Sequence, residues 1–142
     1  MTQSCPIDVE TLIPHRDRMK LIDQILELSD ETAVSSAQIS DRWPLSQGSF
    51  VHPIVLIEIV AQTAGCHISW KRGSGRGGGL GWIVGIKSAD FSVDRIPHGT
   101  ELITTVKNLY SAENYHVLEG TVRAGADILG LIQLQVFHSE SY

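Results

Sequence analysis

Residues Pro53–Trp70 read PIVLIEIVAQTAGCHISW, and their periodicity decides the fold. Proline is suited to the first turn of a helix. Ile54, Val55, Leu56, Ile57, Ile59, Val60, Ala61 and Ala64 then cover almost every side of a helical wheel. A helix apolar on one stripe lies on a surface, whereas one apolar all round is enclosed. The unbroken apolar run is too short for a membrane span, and Glu58 interrupts it. The stretch therefore predicts a buried central helix with one carboxylate in its most apolar turn. An unpaired carboxylate is costly to bury, so Glu58 either finds a partner or holds its proton. Carboxyl groups with shifted pKa values are frequent at acid–base sites.

The flanks read mainly as strands. Leu21–Leu28 fits a partly buried strand or a short helix, and Ser29-Asp30-Glu31 is a turn signal. Thr32–Ile39 reads as a strand pairing with it. After the helix, Lys71–Gly81, KRGSGRGGGLG, is a basic glycine-rich loop. It follows a helix, whereas phosphate-cradling loops follow a strand, so it reads as a lid or linker. Its cations Lys71, Arg72 and Arg76 are suited to an acidic partner. Trp82–Val93, Glu101–Tyr110, Tyr115–Arg123 and Asp127–Phe137 read as four more strands. Ile7–Leu12 reads as a short helix or turn.

Six strands and one enclosed helix predict an α+β domain spanning residues 1–142, with a single antiparallel sheet curled around the helix. One such sheet covers only part of a helix that is apolar all round. A second copy would cover the rest and satisfy a strand edge, so a dimer with continuous sheets is expected. The net charge of −5 disfavours nucleic acid as a partner. Two cysteines, Cys5 and Cys66, show no paired framework, and no metal-ligand spacing occurs. The first residues carry no secretory signal, which points to a cytoplasmic protein with reduced thiols.

Several motifs then carry a resemblance. Leu12-Ile13-Pro14-His15-Arg16, with Met19, Leu21, Ile22 and Asp23, resembles the "LPHR…PFLLVD" segment of β-hydroxyacyl-(acyl-carrier-protein) dehydratases, which have the hot-dog fold. Gln47-Gly48-Ser49-Phe50 resembles their "QGHF", and Leu56–Gln62 their "LIEAxAQ". Gly85-Ile86-Lys87, Phe91 and Pro97–Leu102 resemble a later "GI…F…PGDxL". The wording from Ala61 to Trp70 is closer to the dehydratase-like subgroup of aryl-polyene-type lipid pathways.

The resemblance implies an enzyme of fatty acid or polyene lipid synthesis acting on 3-hydroxyacyl thioesters of acyl carrier protein or CoA, without a cofactor. It implies a homodimer or higher oligomer, or a hetero-oligomer with a related dehydratase. In the family a loop histidine takes the C2 proton and a helix glutamate helps the C3 hydroxyl leave. Glu58 falls on that acid. Ser49 falls on the histidine and cannot be an equivalent base. His52, at the helix start, is the candidate replacement, because a helix N-terminus favours neutral imidazole. Ser49, Phe50, Val55, Leu56 and Gln62 are expected around the substrate, with the amides near Val55 and Leu56 holding the thioester oxygen. His15 is expected to be structural and His67 to be packing. The rival functions are a hot-dog thioesterase and a non-catalytic acyl-binding or partner subunit of an active dehydratase.

Overall fold

The computed structural model describes residues 3–73 and 80–139. The glycine-rich part of the basic loop, residues 74–79, and the Cys5 side chain lie outside what is described. Among the described residues, one α-helix, α1 (Val55–Arg72), crosses a large sheet. The sheet's strands are β1 (Gln3–Ile7), β2 (Gln24–Leu28), β3 (Thr32–Gln38), β6 (Leu80–Phe91), β8 (Glu101–Ala112), β9 (Tyr115–Ala124) and β10 (Asp127–Ser139). A small second sheet holds β4 (Ser46–Gln47), β5 (Phe50–Val51) and β7 (Ile96–Pro97). The large sheet has the order β1-β2-β3-β8-β9-β10-β6, with every neighbouring pair antiparallel.

This is the expected hot-dog arrangement, a sheet wrapped around one long helix. All six expected strands are present, and the ambiguous Leu21–Leu28 segment resolves as a strand. The difference is β1, a seventh strand whose QSCPI sequence carries little strand signal. It lies at the edge of the sheet, where a proline is tolerated. The expected turn after it is a short 3-10 helix, Val9–Thr11. The α-helix starts two residues later than the sequence suggested. Pro53 sits in the preceding turn, and its carbonyl accepts the Leu56 amide at 2.9 Å.

Alternation along the strands builds the core. Leu102, Thr104 and Val106 of β8 point inward, as do Leu118 and Val122 of β9, and Ile132, Leu134 and Val136 of β10. Against them α1 buries Val55, Leu56, Ile59, Val60, Ala64 and Cys66. Fully burying each Val, Leu or Ile contributes about 1.5–3 kcal/mol. Helix and sheet approach closely at Gly120 of β9, where a Cβ would stand 2.5 Å from both Val60 methyls. The opposite stripe of the helix, with Ile57, Glu58, Ala61 and Gly65, is only half-buried. Enclosure by this chain is therefore one-sided, and the other side of α1 borders a cleft. Among the described residues no helix is long and apolar enough to cross a membrane.

Candidate active site

Glu58 lies one turn into α1, on the half-buried stripe. Its Oε1 stands 3.3 Å from Nε2 of His15 and accepts a hydrogen bond from Gln62 Nε2 at 3.1 Å. The two members of the His15–Glu58 pair are similarly exposed, at 32% and 33%. Burial raises the Glu58 pKa. The hydrogen bonds from His15 and Gln62, and the His15 charge, outweigh burial and hold the carboxyl below its ordinary 4.5. Of the two outcomes open to a buried carboxylate, Glu58 takes the first: it finds partners.

Two side chains place His15. Arg16 donates to the carbonyls of Ile13, His15 and Glu10, at 2.8, 2.8 and 2.9 Å, and pairs with the Glu10 carboxylate at 3.1 Å. This folds the Pro14-His15-Arg16 segment into a fixed loop. Gln62 joins the following residues to the helix. Its Oε1 accepts the Leu21 amide at 2.9 Å, and its Nε2 donates to the Met19 carbonyl at 2.6 Å. One buried carboxamide thus holds the N-terminal segment and the Glu58 carboxylate in register.

Beside the pair opens a cleft of about 370 Å³. Its walls are mostly apolar: Ala61, Gly65 and Ile68 of α1, Trp82 and Ile83 of β6, and Phe137 of β10. Glu58 and His15 both line it. A carboxylate and an imidazole at one end of an apolar slot can move protons on a ligand whose tail fills the slot.

The other sequence-predicted residues are placed differently. His52 is exposed, and its Nδ1 accepts the Ile54 amide at 3.1 Å. Within the protomer it does not meet Glu58. Its ring bonds the amide of Ile54, the residue just before the helix. The Val55 and Leu56 amides donate to the carbonyls of His52 and Pro53 at 3.2 and 2.9 Å. They are engaged in the first helical turn and are not free donors for a thioester oxygen. Ser49 is exposed, with its carbonyl accepting the His98 amide at 2.8 Å. Phe50 lies under the Arg95 guanidinium, 4.5 Å from ring centroid to Cζ. Gln62 is a positioning residue. Of the expected site residues, Glu58 alone lines the cleft.

Comparison with known proteins gives this geometry a lineage. A sequence model of the ApeP-like family, described as ApeP dehydratase, matches residues 7–142. The chain belongs to the ApeP-like dehydratase family. It is 32% identical over 104 residues to the 3-hydroxyacyl-(acyl-carrier-protein) dehydratase FabZ of Streptococcus uberis, covering 69% of this chain and 71% of that protein. Among solved structures it resembles the dehydratase heterocomplex ApeI:P from Xenorhabdus doucetiae. The TM-score is 0.82 at 22% identity, over 96% of this chain and 92% of that one. It also resembles, with a TM-score of 0.62 at 13% identity, a hypothetical thioesterase with coenzyme A from Streptococcus pneumoniae; 82% of this chain and 84% of that one are covered. At these identities the two structures speak to the fold alone.

In this ApeP-like dehydratase-family chain, the neighbour of Glu58 that the sequence did not point to is His15. It stands 43 positions before Glu58 in the chain, and no local period links the two. The available signal was the neighbouring Arg16, whose five donors suit it to fixing a loop. His67 was read correctly as packing. It is buried and bonds the Ser29 carbonyl through Nε2 at 2.7 Å.

Proposed function

We propose that this ApeP-like protein dehydrates 3-hydroxyacyl thioesters, presented on acyl carrier protein or CoA, in fatty acid or polyene lipid synthesis. The observation that carries the reading is the Glu58–His15 pair at the end of an apolar cleft. The hydrogen bonds that Glu58 Oε1 receives from His15 and Gln62 stabilise its carboxylate, and in this reading that carboxylate takes the acidic C2 proton. Protonated His15 gives its Nε2 proton to the C3 hydroxyl. The C2–H electron pair forms the C2=C3 bond as the C3–O bond breaks and water leaves. A proton passing from Glu58 back to His15 restores the pair. These roles reverse the expectation that Glu58 supplies the proton.

Assembly belongs to the same proposal. β6 is an edge strand of the large sheet, and its side chains include Trp82 and Val84, 47% and 59% exposed. Phe137 of the neighbouring β10 is also exposed and lies 6.3 Å from Trp82 between ring centroids. A long apolar edge is an aggregation hazard unless it is paired. A second dehydratase-like subunit, identical or related, would pair with it and roof the cleft. The heteromeric assembly named for the Xenorhabdus structure supports the related-subunit alternative. In that case Ser49, in place of the family's histidine, fits a subunit whose partner supplies further groups.

The test is incubation of the purified protein with 3-hydroxyacyl thioesters, followed by mass analysis. An enoyl thioester is the expected product. Free thiol in its place would move the protein to the thioesterase class. Glu58→Gln and His15→Ala are each expected to lower turnover at least about 100-fold, while His52→Ala retains it. Equal activity in all three variants would sink the assignment of the pair.

A further inference from the structure

The inward faces of β3 and β8 meet α1 with side chains of unequal size. On β3 the buried ones are Ala33, Ser35 and Ala37, all small. On β8 Thr104 stands between the larger Leu102 and Val106, and all three are buried. Ser35 and Thr104 are direct partners across the antiparallel β3–β8 pair. Against Ser35 the helix sets Thr63, which has no exposed surface. Three hydroxyl groups from three elements thus gather inside the apolar core.

Their protons can be followed one by one. Thr63 Oγ1 donates to the Ile59 carbonyl at 2.8 Å, which uses its single proton. The 2.7 Å bond between Thr63 Oγ1 and Ser35 Oγ is therefore donated by Ser35. Ser35 Oγ is left with lone pairs to offer. Thr104 Oγ1 is buried and has no hydrogen-bond partner among the described residues. A donor and an acceptor thus face each other across two strands without bonding directly. Buried polar groups in folded proteins are paired, and a water bridges those too far apart to meet.

We propose that Ser35 and Thr104 bind one buried water molecule, which completes a hydroxyl chain from β8 through β3 to α1. Thr104 donates to the water, the water to Ser35, Ser35 to Thr63, and Thr63 to the Ile59 carbonyl. The small side chains of Ala33 and Ala37 beside Ser35 give the water its room. Hydrogen bonds aligned in one direction strengthen one another, so the chain fixes where α1 rests on β3 and β8. The site lies on the packed side of the helix, away from Glu58, and is independent of the proposed reaction.

Oxygen-17 magnetic relaxation dispersion on the full chain tests the proposal, because it counts waters held for long inside a protein. Thr104→Val keeps the shape of the side chain and removes the hydroxyl. It is expected to lose one long-lived water relative to wild type, whereas Thr104→Ser keeps it. Urea unfolding gives an independent reading. With the water bonded, Thr104→Val raises the unfolding constant about two- to tenfold, the loss of one hydrogen bond. A dry, unpaired Thr104 gives the opposite sign, since valine removes an unsatisfied group and fills the same space. An unchanged water count in Thr104→Val, or a lowered unfolding constant, would overturn the site. Should that variant fold poorly, a high-resolution crystal structure of the wild type decides. An ordered water within hydrogen-bond distance of both oxygens supports the site. A direct Thr104–Ser35 bond, or no water between them, removes it.

Discussion

The two sides of α1 differ in almost every physical respect. One side packs Leu56, Val60, Thr63 and His67 against the sheet, with each of the four buried. The other side carries Glu58, Ala61 and Gly65, half-buried beside a cleft. The packed side has large apolar groups and saturated polar ones, such as the Ser35–Thr63 hydroxyl pair at 2.7 Å. The cleft side has small residues and a charged group. The contrast teaches that a helix apolar all round need not be equally enclosed. Here the packed side secures the fold, and the open side leaves room for a ligand.

Substitutions on α1 can break or sharpen that contrast. Leu56→Ala removes a fully buried side chain and is expected to cost about 2–5 kcal/mol in urea unfolding. Glu58→Gln is expected to do the reverse. Turnover falls at least about 100-fold, equivalent to about 2.7 kcal/mol of barrier. Unfolding free energy changes by under about 1 kcal/mol, because the residue is part-exposed. If both variants lost mainly stability, the contrast would fail.

Gly120→Ala pushes a methyl into Val60 and is expected to cost about 1–3 kcal/mol. Val60→Ala in the same chain should recover part of that loss, giving a non-additive double-mutant cycle.

A pH series gives a smaller signal. Burial lowers the His67 pKa from its ordinary 6.5. Below that value the unfolded chain binds more protons, so stability is fully present above pH 6.5 and falls as pH drops through the folded pKa. His67→Gln should flatten the slope of urea midpoints measured between about pH 7.5 and about pH 5.5. An unchanged slope would show that the ring is not buried neutral.

The smallest effect is expected at Gly65→Ala, within about 1 kcal/mol of wild type. Helix propensity gains from the change, while the new Cβ meets Ile13 Cγ2 at 3.3 Å. Because Gly65 lines the cleft, KM for long acyl chains should rise more than for short ones.

Much of the fold was legible because burial leaves a period in the sequence. The central helix followed from Ile54–Ala64, and the inward face of β8 from Leu102, Thr104 and Val106. β1 was not legible, since an edge strand needs little apolar alternation and this one contains proline. At the site, Glu58 stood out as a charge within an apolar turn. His15 did not, because its place depends on the contacts of Arg16 and Gln62 across the fold. The amides of Val55 and Leu56 were misjudged for a local reason. A helix start offers unsatisfied donors in general, but here the Leu45–Ile54 loop turns its own carbonyls onto them. Burial pushes the Cys66 pKa up to about 12, and Cys66 is a free cysteine.

The carboxamide of Gln62 has a consequence for how this scaffold can diversify. Together with Arg16, it sets the spacing between a loop imidazole and a helical carboxylate, so that spacing does not depend on the residues along the slot. Ala61, Gly65 and Ile83 could be exchanged to admit other cargo while the reacting end stayed in place. Asparagine at position 62, one methylene shorter, could not span the same partners, and both reactive groups would lose their common anchor at once.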